Sequence, residues 1–411
     1  MMKKHPCRVV LFFLALLLAA CQPSMVQLGI ASPTQAIRNT QSPSASMETP
    51  VISTTSENQP TEGIENTQSP LTSMETPIST TTTVSQPTPT KIINPLTGLA
   101  VDDPNLLNRR PVFIVVSNFP RAGRPHAGLS FADIVFDYYI GAGTDRFLAV
   151  YYGQDATKVG PVRSGRFVDT QLVSLFQGIL GFGSADEDTL AKIYGDLGKR
   201  AISNPEAACP VFCGTDTHSV TGVFANSAEL SQWYGQKAGD NQRYDLGGMF
   251  FDNQVPFSGE PADQISILYN YYDRSDWKFD PLTAKYARWN ESVYAEIDYQ
   301  MVPTTDRITG QYLEFSNLII LFANNIEISP TRYQIDIQGN TDGERAILFR
   351  DGKMFEGKWI TPSLSRPIQF LNPDGTPLAL KPGNTWIAIV GLASSFKEIT
   401  AGQWEAYFNL P

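Results

Sequence analysis

Residues 110–118 read Arg-Pro-Val-Phe-Ile-Val-Val-Ser-Asn, an apolar run of strand length that follows a proline. A continuous run of this kind, without polar alternation, predicts a strand that is buried on both faces. Residues 146–152 predict a second strand. Residues 134–138 fit a strand by their β-branched and aromatic side chains, or a helix because Ser130 and Asp133 have capping-box spacing.

Helices are expected after these strands, and mainly strands beyond them. The apolar residues of 166–177 follow helical spacing, and Ser184 with Glu187 has the spacing that opens a second helix through Leu197. Further on, strands are predicted at 264–269, 318–322, 346–350 and 386–390. The predicted fold class is α+β, with a mixed α/β N-terminal domain at 93–250 and a β-rich C-terminal domain at 251–411, after a disordered tether.

The N-terminus has the features of a bacterial lipoprotein signal. Leu18-Ala19-Ala20-Cys21 closes an apolar run that begins at Val9, behind Lys3, Lys4 and Arg8. A basic region, a short apolar region and small residues before the cut predict a signal peptide at 1–20. Cys21 is the predicted lipidation site, and a plain signal peptide beside an incidental cysteine is the alternative. The expected location is the extracytoplasmic face of the cell membrane, with a lipid anchor.

Residues 21–92 form the predicted linker. The chain has no Phe, Tyr or Trp between Cys21 and Phe113, and Ser, Thr, Pro and Gln are abundant there. Such a segment has too little apolar surface to offset the entropy of ordering, so we predict disorder. The formal net charge of the chain is -10, which argues against nucleic acid as a partner.

Two cysteines remain after the signal and the anchor, Cys209 and Cys213. Outside the cytoplasm, a pair this close in sequence predicts a disulfide. A metal site is the alternative, but it needs further ligands, and we predict no metal. No glycine loop of the Walker or Rossmann type stands between a strand and a helix, so we expect no nucleotide or flavin cofactor.

Several motifs occur in an order that resembles the YerB-like bacterial lipoproteins. In the first half these are residues 94–99, 110–111, 128–135, 146–149 and 160–166, and in the second half 277–281, 309–317, 351–359 and 382–386. The resemblance implies two adjoining domains of unknown function on a lipid-anchored envelope protein, and it implies no reaction. Two departures stand out. Residues 181–185 stand where the pattern often has a histidine, and Asp137 replaces the more usual glutamate.

Arg146, Arg163 and Arg166, with Ser164 between them, are the predicted ligand-binding residues. Guanidinium groups present planar forks that suit a carboxylate or a phosphate. Gly160-Pro161 would set a tight turn before Arg163. The alternative is that these arginines pair with nearby aspartates and serve the fold, the candidates being Asp133, Asp137, Asp145 and Asp169.

Two functions follow from these residues. The first is a binding module for an anionic or glycan-like ligand, or for an envelope protein partner. The second is a cell-wall hydrolase or lyase with Asp137 and His218 as acid and base, although a lone histidine also fits an ordinary loop hydrogen bond. Tryptophans and the tyrosines of 269–272 could form a sugar-binding platform or simply pack in a β-rich core.

Overall fold

The apolar run that begins at Val112 forms β1 (Val112–Ser117), and all six of its residues are buried. It lies inside the largest sheet of the computed structural model, between β3 (Thr144–Tyr151) and β4 (Ile179–Phe182). The structure describes residues 91–214, 220–293 and 298–411, all within one compact unit. The predicted signal peptide, Cys21, almost all of the linker, and His218 lie outside the described residues.

The α-helices of the described residues all lie before residue 250. They are α1 (Phe167–Leu175), α2 (Glu187–Leu197) and α3 (Ser227–Ala238). Short 3-10 helices span Pro104–Asn108, Arg121–Gly123, Leu129–Phe131 and Gly198–Arg200.

Strands make up most of the remaining regular structure. Besides β1, β3 and β4, those before residue 250 are β2 (Ile134–Gly141), β5 (Ala201–Ser203), β6 (Phe212–Gly214) and β7 (Val223–Ala225). Those after it are β8 (Glu260–Pro261), β9 (Gln264–Asn270), β10 (Asp273–Asp280), β11 (Lys285–Glu291), β12 (Met301–Pro303), β13 (Glu314–Phe315), β14 (Asn317–Ser329), β15 (Arg332–Asp336), β16 (Glu344–Arg350), β17 (Lys353–Ile360), β18 (Gln369–Leu371), β19 (Thr385–Gly391), β20 (Ser395–Thr400) and β21 (Gln403–Tyr407).

The main sheet contains strands from both halves of the chain. Its order is β18-β17-β16-β14-β19-β2-β3-β1-β4-β5, with β15 beside β14 and β8 beside β17. The two halves join where β19 lies parallel to β2, with Thr385 opposite Ile134 and Ile389 opposite Tyr138. The chain is therefore mostly β, and its described α-helices lie before residue 250. The predicted domain boundary at 250–251 stays a prediction.

A second sheet covers one face of the main sheet. Its order is β12-β11-β10-β9-β21-β20, with β13 beside β11. The core between the sheets is aromatic: the rings of Trp277 from β10 and Trp386 from β19 lie 5.1 Å apart, and both are fully buried. Helices α1 and α2 cover part of the opposite face, where Phe136 and Phe176 pack.

Local sequence signals explain most element boundaries. Residues 134–138 form a strand and not a helix, because Asp133 is used elsewhere: its carboxylate accepts the N–H groups of Tyr152 and Gly153. Helix α2 begins after Asp186, whose side chain accepts the N–H of Thr189, so the expected cap at Ser184 is wrong by two residues. Asp186 is the better cap because it directly precedes the first turn, so its side chain reaches the free N–H groups there.

Candidate functional site

Three arginines from different elements line one pocket. Arg146 belongs to β3, Arg163 to the segment between β3 and α1, and Arg166 caps α1. We call this cavity of about 360 Å³ the arginine pocket; its lining residues are Phe119, Pro120, Ile140, Gly141, Ala142, Thr144, Arg146, Arg163, Arg166 and Thr331. The structure thus brings together the three predicted arginines.

The backbone of Arg163 is held between two parallel strands. Its N–H donates to the carbonyl of Val115 in β1 at 3.0 Å, and its carbonyl accepts the N–H of Gly183, just after β4, at 2.8 Å. A Cβ atom at Gly183 would stand 3.3 Å from the carbonyl carbon of Arg163, so glycine permits this close approach. Arg163 is therefore presented from the ends of two strands.

Ser164 contributes its backbone to the site. Its carbonyl oxygen accepts hydrogen bonds from the guanidinium of Arg146 at 3.0 Å and from that of Arg166 at 3.4 Å. Arg166 also donates to the carbonyl of Gly165 at 2.9 Å. Neutral carbonyl groups thus orient two of the arginines without cancelling their charge.

The arginine pocket has an excess of positive charge. None of the ion pairs found in the described residues includes Arg146, Arg163 or Arg166, and within those residues their buried Nε atoms have no hydrogen-bond partner. Burial lowers the pKa of Arg146 to about 9, and repulsion from Arg166 and Arg163 adds to that effect. Burial also lowers the pKa of Arg163, with Arg166 contributing. An anion bound here would relieve the cost of keeping these cations out of water.

One carboxyl group lies under the cluster. Asp169 in the first turn of α1 is fully buried and accepts hydrogen bonds from the hydroxyl of Tyr138 and, at 2.7 Å, from the N–H of Arg166. Burial raises its pKa to about 6, although these hydrogen bonds and the nearby arginines oppose the rise. Three formal positive charges therefore face at most one negative charge.

Asp137 lies on the other face of the sheet. In β2 and β3, Tyr138 pairs with Arg146 and Asp137 pairs with Phe147, so Asp137 points between the two sheets, away from the arginines. It is 1 % exposed, and the indole N–H of Trp386 donates to its Oδ2 at 3.3 Å. Burial, and then repulsion from Asp145, raises its pKa well above the usual range. The acid-base role of Asp137 and His218 stays a prediction, and this position gives Asp137 no access to a ligand in the arginine pocket.

A second pocket adjoins the first and is lined by aromatic rings. We call this cavity of about 510 Å³ the aromatic pocket; it is lined by Phe119, Pro120, Arg121, Ala122, Tyr271, Tyr272 and Val293. Of the predicted aromatic residues, Trp277, Trp359 and Trp386 are core residues. Sequence reasoning missed Phe119 and Pro120, although the change from apolar to polar residues at Ser117-Asn118 marks the end of β1, where ligand-contacting residues often occur.

Asp133 and Asn94, both from motif segments, line a separate pocket of about 450 Å³. The Nδ2 of Asn94 donates a hydrogen bond to Oδ1 of Asp133 at 2.9 Å. The backbone N–H groups of Tyr152 and Gly153 donate to Oδ2 of the same carboxylate. Burial raises the pKa of Asp133 to about 6. Because these bonds satisfy both oxygens, the arrangement ties the segment before β1 to the sheet.

Cys209 and Cys213 form the predicted disulfide, with the two Cα atoms 4.7 Å apart. Their sulfur atoms bind each other, so the alternative of a metal site at this pair is wrong. No helix in the described ranges is both long and apolar enough to span a bilayer.

Two family models match the chain in tandem. Residues 96–239 match the model described as "Protein of unknown function (DUF3048) N-terminal domain", and residues 265–387 match the corresponding C-terminal domain. The chain belongs to the DUF3048 family. The three arginines lie in its N-terminal segment, and Tyr271 and Tyr272 lie in its C-terminal segment.

The chain is similar to the protein of Bacillus subtilis (strain 168) that is named "Putative lipoprotein YerB". The two are 28% identical over 326 residues, which cover 74% of this chain and 87% of YerB. The crystal structure of the YerB protein from Bacillus subtilis superimposes with a TM-score of 0.61 at 26% identity, covering 73% of this chain and 97% of that one. These matches confirm the resemblance to YerB-like lipoproteins.

Proposed function

We propose that this DUF3048 protein is a lipid-anchored envelope protein that binds an anionic ligand in the arginine pocket. The anchor is supported by the signal ending at Cys21 and by the name of its relative YerB. A cell-wall glycan and an envelope protein remain predicted partner classes, and the extracytoplasmic face is part of the proposal.

The observation that carries the proposal is the excess of positive charge where three guanidinium groups face the single carboxyl group of Asp169. Buried arginines in proteins are normally paired, because an isolated buried charge is costly. Here Arg146 is buried and Arg163 and Arg166 are half-buried, the carbonyl groups of Ser164 and Gly165 orient Arg146 and Arg166, and the Nε atoms of all three have no hydrogen-bond partner among the described residues. In a chain with a net charge of -10, a local cluster of positive charge is a selective feature for an anion.

Calorimetry with the purified full chain tests this proposal, using inorganic phosphate and sulfate as probes. We expect Arg163→Gln to weaken binding about 10-fold or more, because a charge-assisted hydrogen bond contributes ~1.5–3 kcal/mol. Arg366→Gln is the matched control, since Arg366 is exposed and pairs with Asp245 at the surface. Equal affinities of the two variants, or no anion binding by the unmodified chain, would contradict the proposal.

A further inference from the structure

We infer that the arginine pocket and the aromatic pocket form one site for a sugar ring that carries a phosphate group. This inference rests on the proposed function and adds the chemical class of the ligand.

The two pockets are neighbours that share a wall. Phe119 and Pro120 line both of them. Tyr272, in the wall of the aromatic pocket, donates its hydroxyl hydrogen to the carbonyl of Ala142, which lines the arginine pocket. A ligand with two parts would place one part on each side of this shared wall.

The aromatic pocket combines ring faces with polar groups. Tyr271 is 61 % exposed, and its ring lies 4.9 Å from that of Tyr272 in an edge arrangement. The ring of Phe119 stands 6.5 Å from that of Tyr272, and the guanidinium of Arg121 lies 5.7 Å from the Phe119 ring. Aromatic faces pack against the C–H groups of a sugar, while the phenol hydroxyl of Tyr271 can form hydrogen bonds with its hydroxyl groups. This mixture suits a pyranose ring better than a purely apolar group.

The walls of the aromatic pocket are held from behind. Arg121 donates to the carbonyl of Tyr272, which connects the 3-10 helix Arg121–Gly123 to the turn between β9 and β10. Behind them, Arg124 forms a buried ion pair with Glu291 at 2.8 Å. A site built from supported walls loses less entropy when a ligand binds.

The charge in the arginine pocket favours a phosphate over a carboxylate. Three guanidinium groups face Asp169, so the formal excess is two positive charges when Asp169 is ionised. A phosphate monoester carries nearly two negative charges at neutral pH and offers three terminal oxygens, which suit several donors at once. Each cavity lies in the range of roughly 300–1,000 Å³ that is usual for ligand pockets.

Calorimetry with the full chain tests the inference, using glucose 1-phosphate, inorganic phosphate, glucose and phenyl phosphate as probes. We expect glucose 1-phosphate to bind about 10-fold tighter than inorganic phosphate, because its sugar ring adds packing and hydroxyl hydrogen bonds that inorganic phosphate lacks. We expect Tyr271→Ala to remove most of this gain, so that the variant binds glucose 1-phosphate about as weakly as inorganic phosphate, and Tyr271→Phe to keep part of it. Tyr312→Ala is the matched control, because Tyr312 is similarly exposed and lines neither pocket.

The outcomes separate the inference from the proposed function. Binding of inorganic phosphate without a gain for glucose 1-phosphate, or a gain that Tyr271→Ala does not reduce, overturns the inference and leaves the arginine pocket as an anion site. A larger gain for phenyl phosphate than for glucose 1-phosphate overturns the assignment to a sugar. Absence of binding by every phosphate refutes the proposed function, and the inference with it.

Discussion

Asp137 and Arg146 occupy adjacent strands of the main sheet but point to opposite faces. Arg146 pairs with Tyr138 and faces the arginine pocket, whereas Asp137 faces the core between the two sheets, beside Trp386. The backbone of the sheet therefore separates the buried acid from the cluster of cations. The two groups belong to different environments, and their substitution should have different effects.

Asp137→Asn should weaken the pH dependence of stability. Burial raises the folded-state pKa of Asp137 well above its unfolded value, so the folded protein holds a proton that the unfolded chain releases, and the free energy of unfolding falls as pH rises between the two values. Asparagine cannot ionise, so the variant should lose less stability, by up to about 1.4 kcal/mol per pH unit. Urea unfolding at several pH values measures the free energy of unfolding, and Asp342→Asn is the control at an exposed aspartate. The prediction is wrong if the free energy of unfolding of Asp137→Asn changes with pH as steeply as that of the unmodified protein.

Arg146→Met should stabilise the protein and abolish its response to anions. Arg146 is 3 % exposed and repelled by Arg166 and Arg163, so an apolar side chain of similar length should raise the free energy of unfolding by about 1 kcal/mol without ligand. Phosphate should raise the Tm of the unmodified protein but not that of the variant. Thermal unfolding across a phosphate titration is the measurement, with Arg366→Met as control. An equal phosphate response in both variants would remove Arg146 from the site.

Anion affinity should increase as pH falls through about 6. Asp169 has a pKa of about 6, so acid neutralises the carboxylate beside Arg166 and Arg146 and strengthens the positive field of the pocket. We expect sulfate, which keeps its two charges, to bind about fivefold tighter at acidic pH, a change of ~1 kcal/mol. Asp169→Asn should bind tightly at both pH values, because its charge is already absent. Calorimetry at both pH values decides this: an unchanged pH dependence in Asp169→Asn would assign the effect to another group.

Loss of the Cys209–Cys213 disulfide should have a small effect. The bond closes a loop with a sequence separation of only 4, and short loops lose little entropy on closure in the unfolded chain. The double variant Cys209→Ser/Cys213→Ser should lower the free energy of unfolding by about 2 kcal/mol. Denaturant unfolding with and without a thiol reductant measures it. A loss of folding altogether would show that the bond holds more than its own loop.

Local signals were enough to predict β1, β3 and the first two helices, because their side-chain periodicity reports burial directly. The order of the main sheet was out of reach. β19 pairs with β2 although the two strands are far apart in the sequence, and nothing in either apolar run specifies the other as its neighbour.

The faces of Asp137 and Arg146 could not be predicted from residue spacing alone. Thr144 pairs with Gly141, and an uninterrupted hairpin would then put Asp137 and Arg146 on one face. A bulge between Tyr139 and Gly141 shifts the register by one residue, and a shift of one reverses every side chain. The convergence of Arg146, Arg163 and Arg166 was predictable from their motifs. The contribution of Phe119 required the fold.

The pairing of β19 with β2 limits which deletions a gene of this kind can tolerate. Deleting either half would leave the other with a long strand edge whose N–H and C=O groups have no neighbour, and such edges promote aggregation. Selection would remove those truncated products. The two segments of the DUF3048 family should therefore be inherited as one unit and not be exchanged between proteins as separate modules.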